Sequence, residues 1–170
     1  LGDVYKRQVL NDANAAALGE MWIGAAADHR NVIVMTVGTG VGGGIIVDSK
    51  ILLGANGLAG EIGHIVINND GELCSCGNHG CLEHYGSTAA LIRRVRDAAS
   101  CGKIILSEEH EVNGRFIFSE AKKGNVVMLE LLDSWIDDIA SGLVGLVHIF
   151  NPELILIGGG VSAQKELFID

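Results

Sequence analysis

Proline is nearly absent, at one residue in 170, and no repeat or low-complexity tract appears. No apolar run reaches the ~18 residues that a membrane span requires, which excludes an integral membrane protein of the helical kind. No basic-then-apolar segment opens the chain, so no secretory leader is expected. Positive charge is scarce: 12 Lys and Arg stand against 21 Asp and Glu, for a net charge of −9 and a pI of about 5.0. That balance argues against a broad nucleic-acid surface. Hydrophobic residues are plentiful at 48%, and the mean hydropathy is +0.34. Disorder is thereby excluded as the main state, and the length suits one domain or most of one. Glycine is abundant, at 24 residues. Without proline or repeats, it points to tight turns and close approaches of the backbone to a ligand.

Residues 1–8 show no clear periodicity and read as a ragged or foreign leader. Val9-Leu10 read as the end of a strand, with Asn11 or Asp12 as the N-cap of a helix over 13–27. Residues 31–37 form an apolar, β-branched run that predicts a buried strand. A glycine loop follows from Gly38 to Gly44, then a hairpin in which Ile45–Val47 and Ile51–Leu53 flank a turn at 48–50. Residues 65–85 are expected to hold little regular structure. A helix is predicted from Ser87 to Ala99, capped by Ser87 or Thr88. Residues 101–118 carry no readable pattern. Residues 125–150 give the strongest helical signal, with an apolar face broad enough for a mostly buried helix ended by Asn151-Pro152. Leu154–Ile157 predicts a short strand, Gly158–Gly160 a tight turn, and Val161–Phe168 the start of another helix. Strands alternating with helices indicate an α/β fold.

Three of the four cysteines lie within eight residues. His64, Cys74, Cys76 and Cys81 offer one imidazole and three thiolates, which suits a closed tetrahedral structural zinc site. Gly77 and Gly80 allow the chain to bend between the last two thiolates. A closed set leaves no position for water, so the zinc is expected to shape the loop and leave the chemistry to others. Glu61 and Glu83 flank the motif. With the second ring nitrogen of His64 they make a hydrogen-bonding set suited to a polyol. Cys101 reads as a lone small apolar residue. Clustered thiols without an export signal place the chain in the cytoplasm.

Gly38-x-Gly40-x-x-Gly43 matches a dinucleotide fingerprint by letter, but a strand follows where a helix is needed. No Gly-Lys-Ser/Thr follows, which excludes a P-loop. A strand–Gly-Thr-Gly–strand hairpin still presents backbone N–H groups and the Thr39 hydroxyl to phosphates. Gly158–Gly160 closes a strand at the sheet end where open α/β folds bind ligands. Asp12 suits two roles: an ordinary helix cap, or a base accepting the proton of a hydroxyl that attacks a phosphoryl group. Asn11 beside it is placed to orient the same substrate.

Asn11–Leu18, Val37–Gly44, Gly60–His64, the run from Cys74 to Glu83, and Ile157–Gly160 together resemble the ROK family of sugar kinases and related repressors. The resemblance covers residues 9–170, a partial ROK domain. It implies an actin-like (ribonuclease-H-like) ATPase fold, mainly its C-terminal lobe, with a zinc-stapled loop. It implies transfer of the ATP γ-phosphoryl group to a hexose or N-acylhexosamine hydroxyl, with Mg2+ arriving on ATP. Asp12 would then be the catalytic base, and Asn11, Glu61, His64 and Glu83 would bind sugar hydroxyls. Thr39 and Gly40 would lie in the second phosphate loop, and Gly158 and Gly159 near the adenosine. Zinc would be held by His64, Cys74, Cys76 and Cys81. A homodimer or homotetramer is also implied.

The family's first phosphate loop, strand–Asp-x-Gly-Gly–strand, is not supplied before Asp12. The 170 residues are therefore expected to show little or no kinase activity alone. The alternative within the same family is the sugar-sensing domain of a transcriptional repressor.

Overall fold

The computed structural model describes residues 11–106 and 111–162. Its frame is a four-stranded mixed sheet in the order β3-β2-β1-β4. β1 (Val32–Val37) runs antiparallel to β2 (Val41–Val47) and parallel to β4 (Leu154–Gly159). β3 (Lys50–Ile51) closes the hairpin behind β2.

The side chains of β1 alternate between two cores, as a strand of period two must. Val32 and Val34 turn to one face, where Ala17, Ala26 and Ile46 meet them. Ile33, Met35 and Val37 turn to the other and join the larger core. The smaller face is covered by α1 (Asp12–Ile23). The larger is covered by α3 (Thr88–Ser100), α4 (Gly114–Lys122) and α5 (Val126–Phe150). Trp135 of α5 is fully buried. Its ring stands edge-on to Phe118, with centroids 6.3 Å apart. Its indole N–H donates to the Ser87 carbonyl at 3.0 Å, so the polar end of a large apolar group is satisfied.

The glycines of β2 belong to packing. A Cβ at Gly44 would stand 2.5 Å from Ala17 Cβ, and one at Gly42 would stand 3.0 Å from Ala13 Cβ. Gly43 points the other way, toward Ile62. The loop expected over 38–44 is therefore only Gly38–Gly40, and the strand begins at Val41. The hairpin turn is tighter than expected as well. Asp48 and Ser49 both have positive φ (50° and 62°), the backbone of a two-residue primed turn. Lys50 thus belongs to β3, and Leu53 lies beyond it.

Three helices differ from the sequence reading. α1 ends at Ile23, where Gly24 receives the cap. α4 fills part of the unreadable stretch; the side chain of Asn113 accepts from Phe116 N and caps it. α5 is buried along Met128, Leu132, Trp135, Ile139, Gly142 and Leu146 only. Val144 and Ile149 are exposed, so the helix is amphipathic and not mostly buried. Its apolar residues exceed one stripe, and only that stripe is buried. Asn151, with φ 42°, ends the helix in the left-handed region. The expected strand at Val9-Leu10, the leader at 1–8 and most of the helix expected over 161–168 lie outside the described residues.

Candidate functional site

The C-terminal ends of β1 and β4 lie side by side, with Val37 opposite Gly159. The N-terminus of α1 and two loops converge on them. A cavity of about 510 Å³ opens there, lined by Asn11, Asp12, Thr36–Gly42, Glu61, Glu83 and Gly159. The predicted base, three of the four predicted sugar ligands (Asn11, Glu61 and Glu83) and the phosphate loop thus come together, at the sheet end where α/β proteins bind ligands.

Asn11 caps α1: its Oδ1 accepts from Ala13 N at 2.8 Å and Asn14 N at 3.2 Å. Its Nδ2 donates to Glu61 Oε1 at 3.0 Å. Asp12, in the first helical turn, accepts from Ala13 N at 2.9 Å and is exposed to the cavity side. The Gly38 N–H donates to the Gly40 carbonyl at 2.9 Å, which closes the Gly-Thr-Gly turn. Gly159 has φ +97°, and a Cβ there would overlap the Val37 carbonyl. Gly158 is a strand residue and does not line the cavity.

His64 stands away from that lining and joins the cysteines. It ends a 3-10 turn, Ile62–His64. The donor atoms of His64, Cys74, Cys76 and Cys81 all lie within 4.8 Å of one another. Nδ1 of His64 is 3.5 Å from Cys74 Sγ, and Cys76 Sγ is 3.6 Å from Cys81 Sγ. Two sulfurs on one zinc at ~2.3 Å each stand ~3.8 Å apart in a tetrahedron, so the spacing and the donor chemistry fit that metal. Gly77 and Gly80 have positive φ, as the bend between the thiolates requires. The hydrogen bond from the Cys76 backbone draws the Cys74 thiol down to about 6, against the opposing effect of burial. Burial, with the neighbouring sulfurs, pushes Cys81 up to about 12.

A second clamp escaped the sequence reading. The hydroxyl of Tyr85 accepts from Glu72 N at 3.1 Å and from Asn68 Nδ2 at 3.4 Å. It ties the start of the cysteine loop to α2 (Glu83–Gly86). No residue spacing announces such a contact, because one tyrosine thirteen residues on gives no pattern.

The ROK family pattern matches residues 5–170. Glucokinase of Thermotoga maritima is 36% identical over 162 residues, which is 92% of this chain and 51% of that protein. The xylose repressor of Caldicellulosiruptor bescii is 39% identical over 164 residues, covering 94% of this chain and 41% of the repressor. The crystal structure of a ROK family glucokinase from Streptomyces griseus, in complex with glucose and AMPPNP, superposes with a TM-score of 0.86 at 39% identity. It covers 95% of this chain and 55% of that one. The chain thus spans about half the length of the relatives it matches.

Proposed function

The chain belongs to the ROK family, and we propose that the whole protein transfers the γ-phosphoryl group of ATP to a hydroxyl of a hexose or N-acylhexosamine. Its sheet and helices have the actin-like ATPase fold of ROK sugar kinases. The observation that carries the reading is the single cavity shared by Asp12, Asn11, Glu61, Glu83 and the Gly38–Gly40 turn. A carboxylate, hydrogen-bonding side chains and an anion-binding turn are the parts that phosphoryl transfer to an alcohol needs.

In this reading Asp12 takes the proton from the attacking hydroxyl. Asn11, Glu61 and Glu83 hold the neighbouring hydroxyls, and His64, standing outside the cavity lining, would bring its second ring nitrogen to the sugar from the metal cluster. Thr39 and the backbone N–H groups of the turn orient phosphate oxygens, and Gly158 and Gly159 lie toward the adenosine. Magnesium, arriving with ATP, supplies charge neutralisation at the phosphates. His64, Cys74, Cys76 and Cys81 would hold a structural zinc, which crosslinks the loop that carries Glu61 and Glu83. Reduced thiols and a need for ATP suit the cytoplasm, and a homodimer or homotetramer suits the family.

A second reading has its own support, since a repressor matches this chain at 39% identity. There the cavity would sense a sugar without turnover. One experiment separates the two. The full-length protein is incubated with ATP, Mg2+ and a panel of glucose, N-acetylglucosamine and N-acetylmannosamine, and ADP release is followed. Sugar-dependent release supports the kinase; a sugar-induced thermal shift without release supports the sensor.

A further inference from the structure

The Gly38–Gly40 turn is held at both ends by one short segment that starts beside the metal cluster. Glu83 stands two residues after Cys81 and opens α2. Its Oε2 accepts the Val41 N–H at 3.1 Å, and a Cβ added at Gly40 would overlap that same oxygen. Five residues on, Thr88 N donates to the Gly38 carbonyl at 2.8 Å. The segment is itself fixed, because the buried indole of Trp135 holds the Ser87 carbonyl. Glu83 also lines the cavity with Asp12 and Glu61. Among the described residues, its Oε1 has no hydrogen-bond partner in the protein.

We propose that Glu83 is a positioning residue that couples sugar binding to the phosphate loop, one carboxylate oxygen fixing the Gly-Thr-Gly turn and the other taking a sugar hydroxyl. The inference rests on the kinase reading above. A carboxylate is rigid, so fixing one oxygen fixes the other. A hydroxyl on Oε1 stills Oε2, and with it the Val41 N–H and the turn that faces the phosphates. A phosphate settled on the turn orders the carboxylate in the reverse direction. Linkage requires the two effects to be equal in size. Zinc loading would reach the turn by the same route, through Cys81 and the two residues after it.

The test uses the full-length protein and calorimetric titration. AMPPNP affinity is measured with and without saturating glucose, and glucose affinity with and without saturating AMPPNP. Each ligand should tighten the other by the same factor, roughly five-fold or more. In Glu83→Ala that factor should fall to about one, and sugar-free AMPPNP affinity should drop as well. Glu83→Gln keeps an acceptor oxygen and should retain part of the coupling. Gly40→Ala is the complementary variant. Its added methyl displaces the carboxylate, so glucose affinity should fall with no nucleotide present. If Glu83→Ala weakens glucose alone and leaves sugar-free AMPPNP affinity intact, the residue is a plain sugar ligand and the proposal is overturned. Unchanged glucose affinity in Gly40→Ala overturns it too. A protein that binds neither ligand loses the kinase reading along with this one. A protein that phosphorylates glucose with a coupling indifferent to Glu83 loses only this one.

Discussion

The side-chain amide of Asn11 spans fifty residues of sequence to donate to Glu61 Oε1 at 3.0 Å, while its oxygen caps α1. One residue therefore sets both the helix that carries Asp12 and the orientation of a proposed sugar ligand. Asn11→Asp should keep the cap and set two carboxylates against each other. Sugar affinity should fall with little loss of melting temperature. Asn11→Ala should lose the cap as well, at a cost of about 1 kcal/mol. Calorimetry with sugar and thermal denaturation of the two variants separate the effects.

Asp12 should matter for turnover and little for binding. In the full-length protein, Asp12→Asn should lower kcat by roughly 10²–10⁴-fold and leave sugar affinity near that of the unaltered protein. Unchanged kcat would reject Asp12 as the base.

Metal analysis should find about one zinc per chain, and Cys76→Ser should lose it together with sugar affinity. Zinc affinity should rise with pH, because a ligand sulfur must shed its proton to bind. With its thiol drawn down to about 6, Cys74 is largely thiolate at neutral pH, and protons compete there only as the pH falls through 6. Cys81, pushed up to about 12, must release its proton to the metal throughout the neutral range. Competition with a chelator between pH 5 and 8 measures both effects; an affinity independent of pH would contradict them.

Glu153 clamps the lower ends of β1 and β4. Its Oε2 accepts from the backbone N–H groups of Arg30 and Asn31, both at 2.7 Å. Those bonds, Asn31 foremost, hold the carboxyl below its ordinary 4.5. A depressed value means stability that is present above 4.5 and lost as the pH falls through the folded value. Glu153→Gln should therefore melt lower than the unaltered protein at pH 7, and the gap should close on acidification. A gap that widens in acid would reject the clamp.

Gly44→Ala should destabilise the fold by about 1–3 kcal/mol, the usual range for overpacking a close contact. The added methyl would stand 2.5 Å from Ala17 Cβ. Combining it with Ala17→Gly should recover part of the loss. A double-mutant cycle by chemical denaturation reads the coupling, and strict additivity would place the clash elsewhere.

The sequence made some of this legible and hid the rest for physical reasons. α5 was readable because its apolar residues persist for seven turns, although four-residue spacing drifts around a helix and misjudged which of them face the core. α4 was hidden because nine residues rich in Phe and Ile resemble a strand as much as a helix. The cysteine cluster could be seen because its ligands lie close together in sequence. The Asn11–Glu61 and Glu83–Val41 contacts could not, since they join residues 50 and 42 positions apart. The run Gly42–Gly44 read as loop because local letters do not show that a helix will lie against them.

That bare stretch of β2 acts as a mechanical spacer. With no side chain on Gly42 or Gly44, α1 rests on the bare backbone of β2 through Ala13 and Ala17, a separation that no rotamer can alter. A methyl added there is a shim, and the misalignment it causes falls on the helix that begins at Asp12. Glycines whose role is packing can in this way be as unforgiving of change as residues with functional side chains.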